Sequence, residues 1–279
     1  MSWLDPPVTA VREVVARALA EDLGVFGDLT AGLTPAGATV VAAIVARAEG
    51  VLAGRLAASE AFSAVDPAIA VTWQRGDGDP LIAGTVVAGV TGPLASVLSA
   101  ERTVLNLLGH LSGIATLTRH YVVKAGEHCA VRDTRKTTPG LRALEKAAVR
   151  AGGGVNHRGS LSEGILVKDN HLAGVSIPEA IRQAKQRWPG QVCEVECDTE
   201  EQVALALAAG ADMVLLDNMT PDEVAAAVAM VDRRVPVEVS GGVTLHTVAA
   251  YAAAGADLVA VGALTHSAPV LDLGMDLEV

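Results

Sequence analysis

The sequence lacks the features of secreted, disulfide-bonded and membrane-spanning proteins. Its 279 residues include three cysteines, an odd number without paired spacing, which is typical of the reducing cytoplasm. The longest apolar stretch, "TVAAYAAAGADLVAVGAL", is interrupted by Asp257, so no apolar run has the length of a transmembrane helix. The N-terminus has Asp5 and two prolines where a signal peptide needs a basic start and an apolar core. We therefore expect a cytoplasmic protein without a membrane partner.

Positive charge is also scarce. Lys and Arg number 21 against 32 Asp and Glu, so the formal net charge is −11. A general nucleic-acid binder would carry a basic surface, and we therefore expect no nucleic-acid partner. The sequence contains no nucleophile elbow, Walker loop or zinc motif.

One segment is cationic in spite of this balance. Between Arg132 and His171 there are eight Lys or Arg and four Asp or Glu. Three of the cations, Arg132, Arg135 and Lys136, belong to the short stretch "VRDTRKTTPG". Such a local excess of positive charge in an acidic chain indicates a small anionic ligand. Helical spacing instead predicts a solvated helix face for three of the eight, namely Arg142, Lys146 and Arg150.

Strand and helix signals alternate from about residue 130 onward. Short apolar runs such as "GILVKDN", "QVCEVECD" and "DMVLLDN" have the composition of buried parallel strands, and stretches with helix-capping signals separate them. The segments "AAGADMVLLDN" (208–218) and "AAGADLVAVGA" (253–263) repeat one helix end, glycine and strand start. Their spacing of about two βα units favours a (β/α) barrel of the TIM type over an open sheet.

The first part of the chain has a different pattern. "VTAVREVVARALAEDLG" predicts an amphipathic helix, and strands joined by Gly and Asp turns follow it. One long helix, or two helices, then leads into the barrel. The tail "VLDLGMDLEV" alternates like a strand. We predict an N-terminal α/β domain over residues 1–111, a barrel over 112–267, and a tail over 268–279 that returns to the N-terminal sheet.

Charged side chains are predicted at the carboxyl ends of the barrel strands, where active sites of such barrels lie. Cations end the first two strands and the loop between them: Arg135, Lys136, His157, Arg158 and Lys168. Carboxylates and a glycine-rich turn end the next strands: Glu196, Asp217, Ser240, Gly241 and Gly242. A single charge at a strand end is most often solvated, and a lone Asp there is as often a helix cap. The succession of cations and then acids is what indicates a site.

These residue types suggest two ligands. Glycine-rich turns on the last two strands, in "VSGGV" and "AVGAL", suit a phosphate group. Glu196 and Asp217 suit a magnesium ion or ribose hydroxyls. Arg side chains and a protonatable His suit carboxylates. We therefore predict one ligand rich in phosphate and ribose, and a second small ligand with several carboxylates.

Longer motifs resemble those of a known family. In this order, "AERTVLNLLGHLSGIAT", "RDTRKTTPGLR", "GGGVNHR", "VKDNH", "EVE", "LLDN", "SGG" and "VGALTHS" are similar to quinolinate phosphoribosyltransferases, and the resemblance covers nearly the whole chain. "DTRKTTPGLR" and "KDNH" are the specific motifs. Gly159 and Ser160 depart from the family, which more often has a larger apolar residue before a Gly or Asp. This departure concerns the packing beneath the site.

The resemblance implies an α/β fold with a TIM-like barrel, open or incomplete, and a smaller N-terminal α/β sandwich domain. It implies a magnesium-dependent reaction of quinolinate with phosphoribosyl pyrophosphate. The products would be nicotinate mononucleotide, pyrophosphate and CO2, in NAD biosynthesis. It also implies a homodimer, or a higher oligomer, in which Arg102 reaches the partner's site.

The resemblance also assigns roles to matching residues. The quinolinate pocket would contain Arg102, Arg135, His157, Arg158 and Lys168. Phosphoribosyl pyrophosphate and its metal would be held by Lys136, Glu196, Asp217, Ser240, Gly241 and Gly262. Catalysis would depend on Lys136, Lys168, Glu196 and Asp217, and Mg²⁺ would bind Glu196 and Asp217 directly or through water.

Three alternatives stay open. A barrel lyase could use Lys168 to form a Schiff base with a keto acid. An enzyme of the same fold could act on another substrate. A phosphate-binding or scaffold protein without catalytic activity would not require Glu196 and Asp217 opposite a ring of cations.

Overall fold

The structure, a computed structural model, describes residues 3–278. The helices are α1 Val8–Leu23, α2 Arg55–Val65, α3 Leu94–Ala125, α4 Arg142–Ala151, α5 Ile177–Arg187, α6 Glu200–Ala208, α7 Pro221–Val231, α8 Val248–Ala253 and α9 Ala263–His266. The strands are β1 Thr39–Ala46, β2 Gly50–Val51, β3 Ala70–Trp73, β4 Pro80–Leu81, β5 Val86–Pro93, β6 Ala130–Arg132, β7 Ile165–Val167, β8 Cys193–Cys197, β9 Met213–Asp217, β10 Val237–Ser240, β11 Leu258–Ala260 and β12 Leu273–Glu278. Short 3₁₀ helices lie at Ala31–Leu33 and Asp169–Leu172. Within residues 3–278, no helix combines the length and the apolar character needed to cross a membrane.

The described residues form two compact units. The first contains residues 3–119, 137–153 and 264–278, and the second contains 120–136 and 154–263. The units are interleaved in sequence, since α4 belongs to the first unit although it follows β6 of the second. The domain boundary expected between residues 111 and 112 stays a prediction.

The first unit is built on an antiparallel sheet with the strand order β12-β1-β5-β3. The outer strand β12 comes from the C-terminal tail and pairs with β1, where Leu273 lies opposite Ala46. Helix α1 is amphipathic, as predicted, because its buried residues share one face. These residues are Val11, Val14, Val15 and Leu19.

Helix α4 differs from the prediction of a solvated face. Lys146 is only 6% exposed. Arg150 donates hydrogen bonds to the backbone oxygens of Leu4 and Asp5, at 3.1 and 3.2 Å. The Arg142 Nε donates to Thr137 Oγ1 at 2.9 Å. The prediction was wrong because helical spacing shows which side chains share a face, but not whether the fold covers that face.

The second unit is built on a parallel sheet with the strand order β6-β11-β10-β9-β8-β7. Helices α5, α6 and α7 alternate with its strands, as predicted, and Thr199 and Thr220 cap α6 and α7 by accepting from backbone N–H groups. The outer strand β6 is extended by one parallel bridge between Arg132 and Val155. Because β6 and β7 are the outer strands of the described sheet, the barrel is open, as predicted.

Strand β8 shows how this unit separates apolar from charged residues. Successive side chains of a strand point to opposite faces. Cys193, Val195 and Cys197 therefore share one face, and each is fully buried. Glu194 and Glu196 share the other face, so the strand carries two carboxylates on a single side of the sheet.

Candidate active site

The carboxyl ends of β7 to β10 bring four predicted site residues together. The parallel register of β7 on β8 places Lys168 beside Glu196. The Lys168 Nζ donates a hydrogen bond to Glu196 Oε2. On the next two strands, Asp217 and Ser240 are direct register partners. Lys168, Glu196, Asp217 and Ser240 therefore line one edge of the sheet, as the sequence predicted.

The "KDNH" motif forms a tight turn that supports Lys168. The turn is the short 3₁₀ helix Asp169–Leu172. The Lys168 backbone N–H donates to His171 Nδ1 at 3.0 Å, so His171 closes the turn from inside. The side chain of Lys168 is 43% exposed, which leaves its ammonium group accessible at the strand end.

Asn218 connects the ends of β9 and β10. Its Nδ2 donates to Asp217 Oδ2 at 2.6 Å, and its backbone N–H donates to the Ser240 carbonyl at 3.0 Å. Asn218 has a left-handed φ of 58°, which Asn tolerates better than most residues. A Cβ at Gly241 would clash with Asn218 Oδ1 and lie 2.7 Å from the Asn218 backbone nitrogen, so only glycine fits there. Sequence reasoning assigned no role to Asn218, although it belongs to the "LLDN" motif.

Asp133 fixes the loop that carries His157. It lies just after β6 and is fully buried. Its carboxylate accepts from Asn156 Nδ2 at 2.6 Å and from the His157 backbone N–H at 2.8 Å. The loop is thus fastened beside the end of β6. Asp133 and Asn156 were not predicted, because an Asp inside a basic motif looks like a simple charge partner.

His157 and Arg158 form a linked pair in this loop. The Arg158 backbone N–H donates to His157 Nδ1 at 2.7 Å, and the Arg158 Nη1 donates to the Gly164 carbonyl at 2.7 Å. Burial lowers the pKa of Arg158, and the positive charge of Arg135 lowers it further, whereas Glu194 raises it. Arg135 and Arg158 are therefore near enough to repel each other, and an anion between them would relieve that repulsion.

A buried charged group lies on the same face of the sheet. His157 Nε2 is 3.0 Å from Glu194 Oε2, and the Arg132 Nη1 donates to Glu238 Oε2. Burial raises the pKa of Glu238 to about 7; the charge of Glu194 adds to this effect, and Arg132 and His157 oppose it. Sequence reasoning missed both glutamates. The available signal was the alternation in "CEVECD", which places Glu194 on the face of Glu196.

The remaining predicted residues are divided between the two units. Arg135 and Lys136 follow β6 in the second unit and are exposed, and Gly262 follows β11 there. The Lys136 backbone N–H donates to Thr134 Oγ1 at 3.0 Å, which shapes the turn. Arg102 is exposed on α3 in the first unit.

Gly159 and Ser160, which depart from the family pattern, lie in a loop that the side chain of Glu163 closes. Glu163 Oε2 accepts from the Gly159 backbone N–H at 2.7 Å, and Glu163 Oε1 accepts from Ser160 Oγ at 3.2 Å. The carboxylate of Glu163 therefore holds the start of this loop in place. It ends at Gly164, whose carbonyl accepts from the Arg158 guanidinium.

The donor chemistry of Glu196 and Asp217 fits a magnesium ion. Mg²⁺ prefers oxygen ligands, and proteins usually supply only one or two carboxylates while substrate phosphates and water complete the shell. Glu196 and Asp217 end neighbouring strands, and the side chain of Glu196 is 11% exposed. The magnesium ion at these two carboxylates stays a prediction.

Comparisons with known proteins identify the family to which this chain is similar. The family model for the quinolinate phosphoribosyl transferase N-terminal domain matches residues 28–112, and that for the C-terminal domain matches residues 114–276. A probable nicotinate-nucleotide pyrophosphorylase [carboxylating] of Bacillus subtilis is 44% identical over 270 residues, which cover 96% of this chain and 93% of the relative. The nicotinate-nucleotide pyrophosphorylase [carboxylating] of Mycobacterium leprae is 45% identical, with 96% and 97% covered. The solved structure of the nicotinate-nucleotide pyrophosphorylase of Francisella tularensis has a TM-score of 0.94 and 36% identity, with 98% of each chain covered.

Proposed function

The chain belongs to the quinolinate phosphoribosyltransferase family, and we propose that it transfers the phosphoribosyl group of phosphoribosyl pyrophosphate to quinolinate with loss of CO2. The products are nicotinate mononucleotide and pyrophosphate, and the reaction serves NAD biosynthesis. One observation carries this proposal beyond family membership. In a single parallel sheet, cations follow the two outer strands, β6 and β7, which we call the cationic side of the site, whereas the carboxylates Glu196 and Asp217 lie on the inner strands β8 and β9.

The cationic side binds quinolinate. Arg135 and Arg158 repel each other, and the two carboxylates of quinolinate compensate that charge. Lys168 lies at the border of the two sides, since its ammonium group contacts Glu196. His157 belongs to the same pocket. The pyridine nitrogen is thereby oriented toward the ribose, and this positioning supplies much of the rate acceleration.

The other side binds phosphoribosyl pyrophosphate. The turns at Ser240, Gly241 and Gly262 present backbone N–H groups to a phosphate. Lys136 compensates charge on the departing pyrophosphate. A magnesium ion held by Glu196 and Asp217 supplies further charge neutralisation when bound. The same carboxylates stabilise the positive charge that develops on the anomeric carbon.

The bond changes follow from this arrangement. The anomeric C–O bond breaks with its electron pair leaving on pyrophosphate, and the ring nitrogen of quinolinate forms the new C–N bond from the opposite face. The nitrogen is then quaternary. The adjacent carboxylate leaves as CO2, and its electron pair stays on the ring carbon beside the positive nitrogen until water supplies a proton. No side chain acts as a general base.

A homodimer with Arg102 in the partner's site is part of the proposal. Val25, Phe26, Leu29 and Leu33 are 94%, 84%, 73% and 83% exposed, and such an apolar patch is typical of an interaction surface. The Ser99 Oγ of α3 donates to Asp28 Oδ2 in this segment, at 2.9 Å. Arg102 lies one turn from Ser99 on the same helix face. A second copy seated on the patch would therefore meet Arg102.

The direct test is product formation. Purified protein should convert quinolinate and phosphoribosyl pyrophosphate to nicotinate mononucleotide, CO2 and pyrophosphate. Removal of divalent ions with a chelator should stop the reaction, and added Mg²⁺ should restore it. Absence of product with both substrates and Mg²⁺ present would contradict the proposal. Borohydride trapping of a keto acid on Lys168 would support the lyase instead.

A cytoplasmic location is also proposed, consistent with free, buried Cys129, Cys193 and Cys197.

A further inference from the structure

We propose that Glu194 is a positioning residue for quinolinate: it holds His157, and His157 in turn holds the backbone of Arg158. This inference rests on the proposed function, because it concerns the cationic side of the same pocket. Glu194 is buried and lies two residues before Glu196, on the same face of β8.

The linkage is a chain of two hydrogen bonds. His157 Nδ1 accepts from the Arg158 backbone N–H at 2.7 Å, so this nitrogen carries no hydrogen. The ring hydrogen is then on Nε2, which donates to Glu194 Oε2 at 3.0 Å. By accepting from Nε2, Glu194 stabilises the same tautomer that lets His157 accept from Arg158. The guanidinium of Arg158 is held at its far end by the Gly164 carbonyl.

The side chains of this arrangement are largely buried. Glu194 is 4% exposed and Glu238 is fully buried, while His157 retains 10% side-chain exposure. Glu238 Oε1 lies 3.9 Å from His157 Nε2, too far for a good hydrogen bond, so Glu194 is the acceptor. Arg132 contacts the other oxygen of Glu238 and compensates its charge.

Stability alone does not explain the two glutamates. A buried ionic group is often replaceable by apolar residues without loss of stability. Glu194 Oε1 and Glu238 Oε1 are buried without a hydrogen-bond partner among the described residues, which is an unfavourable feature in a core. Glu194 contacts His157 in the loop that carries Arg158, so its position points to the orientation of that loop.

Three substitutions separate positioning from general stability. Glu194→Ala removes the acceptor and should raise the KM for quinolinate about tenfold or more, with the KM for phosphoribosyl pyrophosphate nearly unchanged. Glu194→Gln keeps an acceptor oxygen and should stay within about threefold of wild type. The control is Val195→Ala on the opposite face of β8, which should lower Tm without changing either KM. Should Glu194→Ala fail to fold, Glu194→Leu takes its place with the same expectation.

A double-mutant cycle with His157→Ala tests the linkage itself. If Glu194 acts through His157, then Glu194→Ala should change the quinolinate KM less than about twofold in the His157→Ala background. Effects that multiply, or an equal rise in both KM values, would overturn the proposal.

NMR of isotope-labelled histidine gives a readout that does not need activity. Wild type should show the Nε2–H tautomer for His157, and Glu194→Ala should show a smaller fraction of it, because only the Arg158 N–H then favours that tautomer. A wild-type protein that makes no nicotinate mononucleotide would refute the proposed function and leave this tautomer test intact. Unchanged His157 signals in Glu194→Ala would refute the positioning role even in an active enzyme.

Discussion

Two arginines of the pocket, Arg135 and Arg158, have positive charges that act on each other before a substrate binds. The charge of Arg135 lowers the pKa of Arg158, after the larger effect of burial. Arginine side chains carry a positive charge at neutral pH. The two positive charges repel each other, and a dicarboxylate bound between them would relieve that repulsion. A neutral pyridine would gain nothing from it, so these two residues favour quinolinate over uncharged analogues.

Arg135→Ala should therefore weaken quinolinate binding. Loss of one charge-assisted partner is expected to cost about 2 kcal/mol or more, which corresponds to about a thirtyfold rise in Kd. The matched control is Arg187→Ala on the exposed end of α5, where the change should be under about 1 kcal/mol. Calorimetric titration with quinolinate measures both. Equal losses in the two variants would remove Arg135 from the pocket.

Glu238 predicts a specific pH dependence of stability. Its pKa rises from the ordinary 4.5 to about 7, so the folded state binds more protons than the unfolded state between these values. The stability contributed by its protonated form is complete below about pH 4.5 and is lost as pH rises through about 7. Glu238→Gln lacks this titration.

Denaturant unfolding of wild type and Glu238→Gln across this pH range checks the prediction. The free energy of unfolding of wild type, relative to Glu238→Gln, should fall as pH rises from about 4.5 to about 7. A constant difference would mean that Glu238 is ionised throughout.

At the scale of elements, the β9 and β10 ends depend on one glycine. Gly241 has a φ of 93°, and a Cβ there would meet both the backbone nitrogen and the side-chain oxygen of Asn218. The neighbouring Gly242 has a φ of 60°, and no atom lies within 4 Å of the position that its Cβ would take. The two glycines therefore share a left-handed conformation and differ in the space around them.

This contrast gives a matched pair of substitutions. Gly242→Ala should cost about 1 kcal/mol of stability from its backbone conformation and keep most activity. Gly241→Ala should also displace Asn218, and with it Asp217, so turnover should fall at least about tenfold more than in Gly242→Ala. Steady-state kinetics with both substrates, alongside thermal unfolding, separates the two effects. Similar turnover in both variants would mean that the turn tolerates the clash.

The order of strands and helices explains how much of the site could be predicted from the sequence. Strands that alternate with capped helices identify their own carboxyl ends, so Lys168, Glu196, Asp217 and Ser240 could be placed together in advance. The burial of Glu194 and Lys146 could not. In a strand or a helix, periodicity shows which side chains share a face, whereas contacts distant in sequence determine whether that face meets water. The pairing of Asn218 with Ser240 likewise depends on the fold.

At the scale of the whole molecule, the proposed dimer makes each active site composite. Arg102→Ala and Lys168→Ala should each be nearly inactive alone. After subunit exchange, half of the dimers are mixed, and one site in each mixed dimer has both wild-type residues. The mixture should therefore regain about a quarter of wild-type activity. Mixing two samples of Arg102→Ala is the control. No recovery after demonstrated exchange would place Arg102 in its own subunit's site, or outside any site.

The pairing of β12 with β1 has a consequence for biosynthesis. Leu273 joins Ala46 across more than two hundred intervening residues, which include every strand of the parallel sheet. On the ribosome, the β1 edge must therefore stay without this partner until the barrel segment has been translated. An open strand edge is a template for pairing with other nascent chains. Late sheet completion predicts slow folding, and it makes the interval before β12 emerges the period of greatest risk of aggregation.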